Sequence, residues 1–197
     1  MIKLNLGFLA SHNGSNMQAI INNVKAGKLN ANLCAVISNN RSAIAIEKAR
    51  NENIPAFIVN SSTHPNNSDK EIVRILQQYN VNTVILAGYM KAISKYLIDS
   101  FNGRVLNIHP ALLPKYGGKG MYGMNVHQAV IKNKESISGA TIHLVNEEYD
   151  KGPILAQKEI SVLPEDTTET LAEKVLKIEH NLYTDVLIKI SNGEIVI

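Results

Sequence analysis

From the first residues of this chain to its middle, short apolar runs alternate with amphipathic stretches. That alternation leaves few folds open. Residues 2–10, 33–37, 56–59, 81–87 and 104–108 read as strands. Between them, residues 15–25, 43–52, 69–79 and 91–101 read as helices. Met17, Ile20, Ile21 and Val24 fall on one helical face, as do Ile72, Ile75 and Leu76. Strands separated by helices of this length imply βαβ units and a largely parallel sheet. The runs lack clear polar alternation, which suits strands covered on both faces. The expected fold is α/β, a Rossmann-like open twisted sheet, mainly parallel, with helices on both faces. One domain over residues 1–197 is expected, since single domains run to roughly 250 residues.

The second half changes pattern. A helix is expected over residues 125–133, strands over 139–145 and 154–162, and a long helix over 167–190, capped at Asp166 or Thr167. Asn192-Gly193 would end that helix, and residues 194–197 could add a short strand. Four glycines fall within residues 117–123, the mark of a mobile or closely approached loop.

Composition excludes several classes. The net charge of +3 is small and dispersed, so no nucleic-acid tract is expected. No apolar run approaches the ~18 residues of a membrane span, and the N-terminus does not read as a signal peptide. The single cysteine, Cys34, reads as a small buried hydrophobe and suits a reducing cytoplasm. The six histidines show no His-x-x-x-His spacing and no cysteine partner, so no metal is expected.

Two segments carry chemistry. Asn107 and His109 are two residues apart at a strand end, so their side chains point the same way. Together they offer an amide donor and a group that titrates near neutral pH. Pro110 and Pro114 then take the chain out of the sheet toward a surface crevice. The bland alternative is an irregular turn in which Asn107 satisfies backbone groups. The second segment, residues 11–16, joins the first strand to the first helix. Free N–H groups at a helix start favour an anion, Gly14 allows close approach, and Ser15 or Asn16 could cap. It has neither Gly-x-Gly-x-x-Gly nor a P-loop pattern, so no dinucleotide or nucleoside triphosphate is indicated.

These pieces, with Leu86-Ala87-Gly88-Tyr89-Met90, Asp150-Lys151-Gly152-Pro153 and Glu179-His180, occur in an order that resembles the phosphoribosylglycinamide formyltransferase family of purine synthesis. The block Asn107-Ile108-His109-Pro110-Ala111-Leu112-Leu113-Pro114 is its most specific part. The resemblance implies formyl transfer from 10-formyltetrahydrofolate, as cosubstrate, to the amine of glycinamide ribonucleotide. It implies direct attack by that amine, with Asn107 and His109 stabilising the oxyanion and Asp150 assisting proton transfer. It further implies that Asn13, Gly14, Ser15 and Asn16 hold the substrate phosphate and that Glu179 contacts the amine end. Met90, Lys91, Ala92 and Ile93, with Leu144, Val145, Asn146 and Glu147, would border the folate. A cytoplasmic monomer or homodimer without metal, nucleic acid or membrane completes the expectation.

Two departures are visible. The glycine-rich loop over residues 117–124 is longer than in many relatives. Residues 61–68 carry no arginine, and Asn66-Asn67 stand where relatives often place basic contacts. Several readings also stay open on the residues alone. On its neighbours alone, Asp150 reads as a turn residue. His143 is either a core histidine or a neighbour of the site. His180 and Glu179 read as a helix-surface pair, and His127 as solvent-facing or loop-packed. Glu147 and Glu148 are adjacent, so they diverge rather than act together. A deformylase would be expected to carry an additional N-terminal domain, and a methionyl-tRNA formyltransferase a C-terminal one. A non-catalytic phosphate sensor would use residues 13–16 alone.

Overall fold

A computed structural model describes residues 3–65 and 67–197. The chain runs β1 (Leu4–Ala10), α1 (Ser15–Lys25), β2 (Ala31–Ser38), α2 (Ile44–Asn51), β3 (Ala56–Ile58), α3 (Ser68–Gln78) and β4 (Thr83–Leu86). It continues through α4 (Lys95–Ser100), β5 (Val105–His109), α5 (Met124–Lys132), β6 (Ile137–Leu144), β7 (Ile154–Ser161) and α6 (Thr168–Asn192). The seven strands form one sheet in the order β3-β2-β1-β4-β5-β6-β7. Neighbours from β3 to β5 are parallel, and β6 and β7 add antiparallel. The expected α/β fold is therefore present.

Two apolar layers cover the sheet. Met17 and Ile20 of α1, Val130 of α5, and Val175, Tyr183 and Val186 of α6 pack on one face. Ile72 and Leu76 of α3 and Leu97 of α4 pack on the other. The Tyr183 hydroxyl donates to the Leu106 carbonyl at 2.9 Å, strapping α6 to the strand that carries Asn107. No helix among the described residues is long and apolar enough to cross a membrane.

The strand order reverses between β1 and β4, and an open α/β sheet binds ligands outside the carboxyl ends of its strands at such a point. That position is occupied here by the connections after β1, β4 and β5. Ser11 joins two of them. Its hydroxyl donates to Asn39 Oδ1 at 2.6 Å and accepts from the Met90 N–H at 2.8 Å. Its own N–H donates to the Gly88 carbonyl at 3.1 Å.

Three local expectations are corrected. The helix expected over 91–101 is confined to Lys95–Ser100, because Ser94 caps it by accepting from the Leu97 N–H at 3.3 Å. Residues 91–94 are thereby left irregular. Residues 194–197 form no strand, since Gly193 closes α6 in a left-handed conformation (φ 81°) and the chain turns away. Cys34 is half-buried rather than enclosed, because β2 is covered fully only from Ala35 onward. Thr167 caps α6 as expected, in a reciprocal box with Thr170. Ile2 and Asn66 lie outside the described residues.

Candidate active site

The site starts with β5. Asn107 pairs with His143 of β6 across the ladder, and His109 pairs with Thr141, so these four side chains share a face. The segment after His109 is held by one hydroxyl. Thr141 Oγ1 donates to the Ala111 carbonyl at 2.6 Å and accepts from the Leu113 N–H at 3.0 Å.

Asp150 arrives from the connection between β6 and β7. That connection folds back on itself at Gly152, where an added Cβ would lie 1.7 Å from the Leu144 carbonyl oxygen. Only glycine permits this approach. The return places Asp150 Oδ2 3.5 Å from His109 Nδ1 and Oδ1 3.7 Å from His143 Nε2. The Gly118 N–H also donates to Oδ2, at 2.9 Å. Asn107, His109 and Asp150 therefore meet, although 41 residues separate the last two (150 − 109).

Hydrogen-bond logic fixes the ring protons. His109 Nε2 lies 2.7 Å from the Tyr116 carbonyl, which can only accept, so Nε2 carries hydrogen. Nδ1 is then the nitrogen that gains or loses a proton, and it faces Asp150. His143 Nδ1 likewise donates to the Leu144 carbonyl at 2.9 Å, leaving Nε2 to accept from Asn107 Nδ2 at 3.1 Å. This orients the Asn107 amide and leaves its second N–H for a ligand. His143, left open by sequence, is thus both buried and part of the site.

Burial pushes the His109 pKa down, and this outweighs the opposing pull of the Asp150 charge and the Tyr116 carbonyl. The Asp150 charge by itself favours a protonated His109, but desolvation dominates. Asp150 behaves in the opposite way. Burial raises its pKa, yet a hydrogen bond from His143 in its protonated form, the charge of His109 and the Gly118 N–H together hold it below the usual range. It stays a carboxylate.

At the other end of the cleft, α1 begins at Gly14 (φ 61°) with no side-chain cap. A Cβ there would lie 2.8 Å from Ala45 Cβ. The expected cap by Ser15 or Asn16 is absent because Asn16 is drawn elsewhere. Its Nδ2 donates to Glu179 Oε2 at 2.7 Å. The first-turn N–H groups of α1 therefore remain without a side-chain partner, an arrangement that favours an anion. Lys48 of α2 lies over this loop, its Nζ 2.7 Å from Asn13 Oδ1 and 3.0 Å from the Asn13 carbonyl. This cation was not foreseen, because nothing local in α2 marks a lysine that reaches back to an earlier loop.

Glu179 is 8% exposed and is not part of a surface pair; its neighbour His180 is half-buried, with Nε2 enclosed and unpartnered. Burial raises the Glu179 pKa to about 7, against the lowering effect of Asn16. A carboxyl whose folded pKa is raised makes stability fall as pH rises from the unfolded value to the folded one. Wild-type thermal stability relative to Glu179→Gln should therefore decline between pH 4.5 and about 7 and level off above. Melting curves of both proteins across that window check the sign; a flat difference would refute it.

One cleft of about 670 Å³ joins these parts. Residues 13–16 and Glu179, then Asn107, His109 and Asp150, and Met90, Lys91, Ala92, Ile93, Val145, Asn146 and Glu147 all line it. Leu144 stands behind it, packed on the core with its carbonyl anchoring His143. The loop from Gly118 to Met124 forms the rim and is closely approached by Asp150, as its glycines suggested. His127 also lines the cleft and is 5% exposed, so of its two readings the solvent-facing one fails. Its flanks Val126 and Val130 are buried, a helical-face signal readable in the sequence. Among the described residues no group of three or more His, Cys, Asp or Glu is arranged to hold a metal ion.

Residues 4–187 match the formyl transferase family model. The chain is 43% identical over 185 residues to the chloroplastic phosphoribosylglycinamide formyltransferase of Arabidopsis thaliana, covering 92% of this chain and 63% of that protein. It spans about three fifths of the length of the plant relatives it matches. The phosphoribosylglycinamide formyltransferase of Escherichia coli (strain K12) is 32% identical over 194 residues, with 98% and 89% covered. The crystal structure of glycinamide ribonucleotide transformylase 1 from Symbiobacterium toebii superposes with a TM-score of 0.91 at 31% identity, covering 99% of this chain and 91% of that one. A formyltetrahydrofolate deformylase from Pseudomonas syringae shares the fold (TM-score 0.88) at 22% identity. On the family match across nearly its whole length, and on its likeness to the Escherichia coli enzyme, the chain belongs to the formyl transferase family, among its phosphoribosylglycinamide formyltransferases.

Proposed function

We propose that the protein transfers a formyl group from 10-formyltetrahydrofolate to the primary amine of glycinamide ribonucleotide. The observation that carries this reading is the meeting of Asn107, His109 and Asp150 between an uncapped helix start and an apolar rim. The ribonucleotide phosphate lies on the N–H groups of residues 13–16 beside Lys48. Asn16 and Glu179 face the sugar and amine arm. The folate lies between residues 90–93 and residues 145–147.

The amine nitrogen attacks the formyl carbon, and the carbonyl oxygen becomes anionic. The free Asn107 N–H and a protonated His109 Nδ1 stabilise it. One donor of this kind is worth about 10²–10³ in rate. The attacking nitrogen then loses a proton and the folate N10 gains one as the carbon–nitrogen bond breaks. Asp150 stabilises the imidazolium and takes part in moving the proton. No protein nucleophile is needed, because the substrate supplies it.

The test follows folate product spectroscopically with and without glycinamide ribonucleotide. Product formation that requires the ribonucleotide is expected. Turnover in its absence would indicate a hydrolase, and ribonucleotide binding without turnover a sensor; either would overturn the proposal.

A further inference from the structure

His127 has no role in the reaction as described above, yet it sits inside the cleft. It lies in the first half of α5, which packs on the same sheet face as α1 and α6. α1 and α6 carry Asn16 and Glu179, whereas Val145 packs on the opposite apolar layer. Its Nδ1 is enclosed without a partner, and no hydrogen bond reaches Nε2 among the described residues. Buried polar atoms left unpaired in this way call for an explanation.

The enclosure selects a tautomer. An orphaned buried N–H is rarer than an under-satisfied acceptor. The lone pair therefore belongs on the enclosed Nδ1, and the hydrogen on Nε2, which is open to the cleft. Burial and the neighbouring His109 both disfavour a positive charge on the ring. The ring is thus a neutral donor, able to contact an oxygen without repelling a cationic His109. The phosphate already has the α1 N–H groups and Lys48. The remaining acceptor near the reacting amine is the carbonyl of the glycyl amide.

We propose that His127 is a substrate-contacting residue whose Nε2–H donates to the amide carbonyl of the amine-bearing substrate, fixing the arm that carries the nucleophile. This rests on the formyl-transfer reading above.

The experiment compares His127→Leu and His127→Gln with wild type, varying each substrate separately, and follows imidazole ¹⁵N shifts in the wild type. In His127→Leu, kcat/KM for the ribonucleotide should fall at least about tenfold, with KM for the folate unchanged. His127→Gln, which keeps an N–H donor, should recover to within about threefold of wild type. Adding glycinamide ribonucleotide alone to the wild type should move the His127 Nε2 signal. A silent His127 signal with bound ribonucleotide overturns the proposal, as does wild-type kcat/KM in His127→Leu. An equal rise in both KM values without rescue by glutamine indicates a structural role and overturns it too. Wild-type protein that binds the ribonucleotide but transfers nothing would fell the underlying reading instead.

Discussion

Asp150→Asn should lower kcat by about 10²–10⁴ while the protein remains folded. The substitution keeps the size of the side chain and removes its charge. Asparagine can still offer an oxygen to the Gly118 N–H, which the carboxylate meets at 2.9 Å. What disappears is the negative neighbour 3.5 Å from His109 Nδ1. Burial already pushes the His109 pKa down, so losing its main opposing charge should push it lower still. Imidazolium would then form less readily just when the oxyanion needs it. Steady-state kinetics with both substrates saturating, alongside a thermal melt, measure this. Near-normal kcat in a folded variant would remove Asp150 from the mechanism.

His109→Asn should cost at least about 10² in kcat. An asparagine amide reaches about as far as Nδ1 but carries no exchangeable charge. It also leaves the Tyr116 carbonyl without the donor that meets it at 2.7 Å. The pH–rate profile supplies the sharper readout. The wild type should show a bend below the ordinary histidine range, since desolvation dominates at this ring. That bend should vanish in the variant. If it persists unchanged, another group is titrating.

The elements and the site differed in how much the sequence revealed. From β1 to α6 the order of elements was legible, because buried strands and one-faced helices each leave a local apolar signature. Asn107 and His109 were legible for the same reason, as neighbours on a strand end. The rest of the site depends on register and return paths. His143 faces Asn107 only because β6 pairs antiparallel with Asn107 opposite it. Asp150 reaches the cleft only because Gly152 lets its loop press on Leu144. Asn16 looked like a helix cap, but its partner Glu179 lies 163 residues away. Lys48 was missed because what defines it is the loop it meets, not its sequence neighbours, whereas His127 had a local signal in Val126 and Val130. The shortened α4 shows the reverse case, where a local capping serine overrode a plausible longer periodicity.

Ser11 has a consequence for how two molecules find each other. Through its hydroxyl and its N–H, it pins the β1 exit to Gly88 and Met90. The spacing between the seats proposed for the phosphate and the pterin is thereby set by two hydrogen bonds, not by the 79 residues of chain between them. Reactants docked on such a fixed gauge have surrendered most of their relative freedom before chemistry starts. In well-oriented systems that loss alone is worth effective concentrations of about 10⁵–10⁸ M.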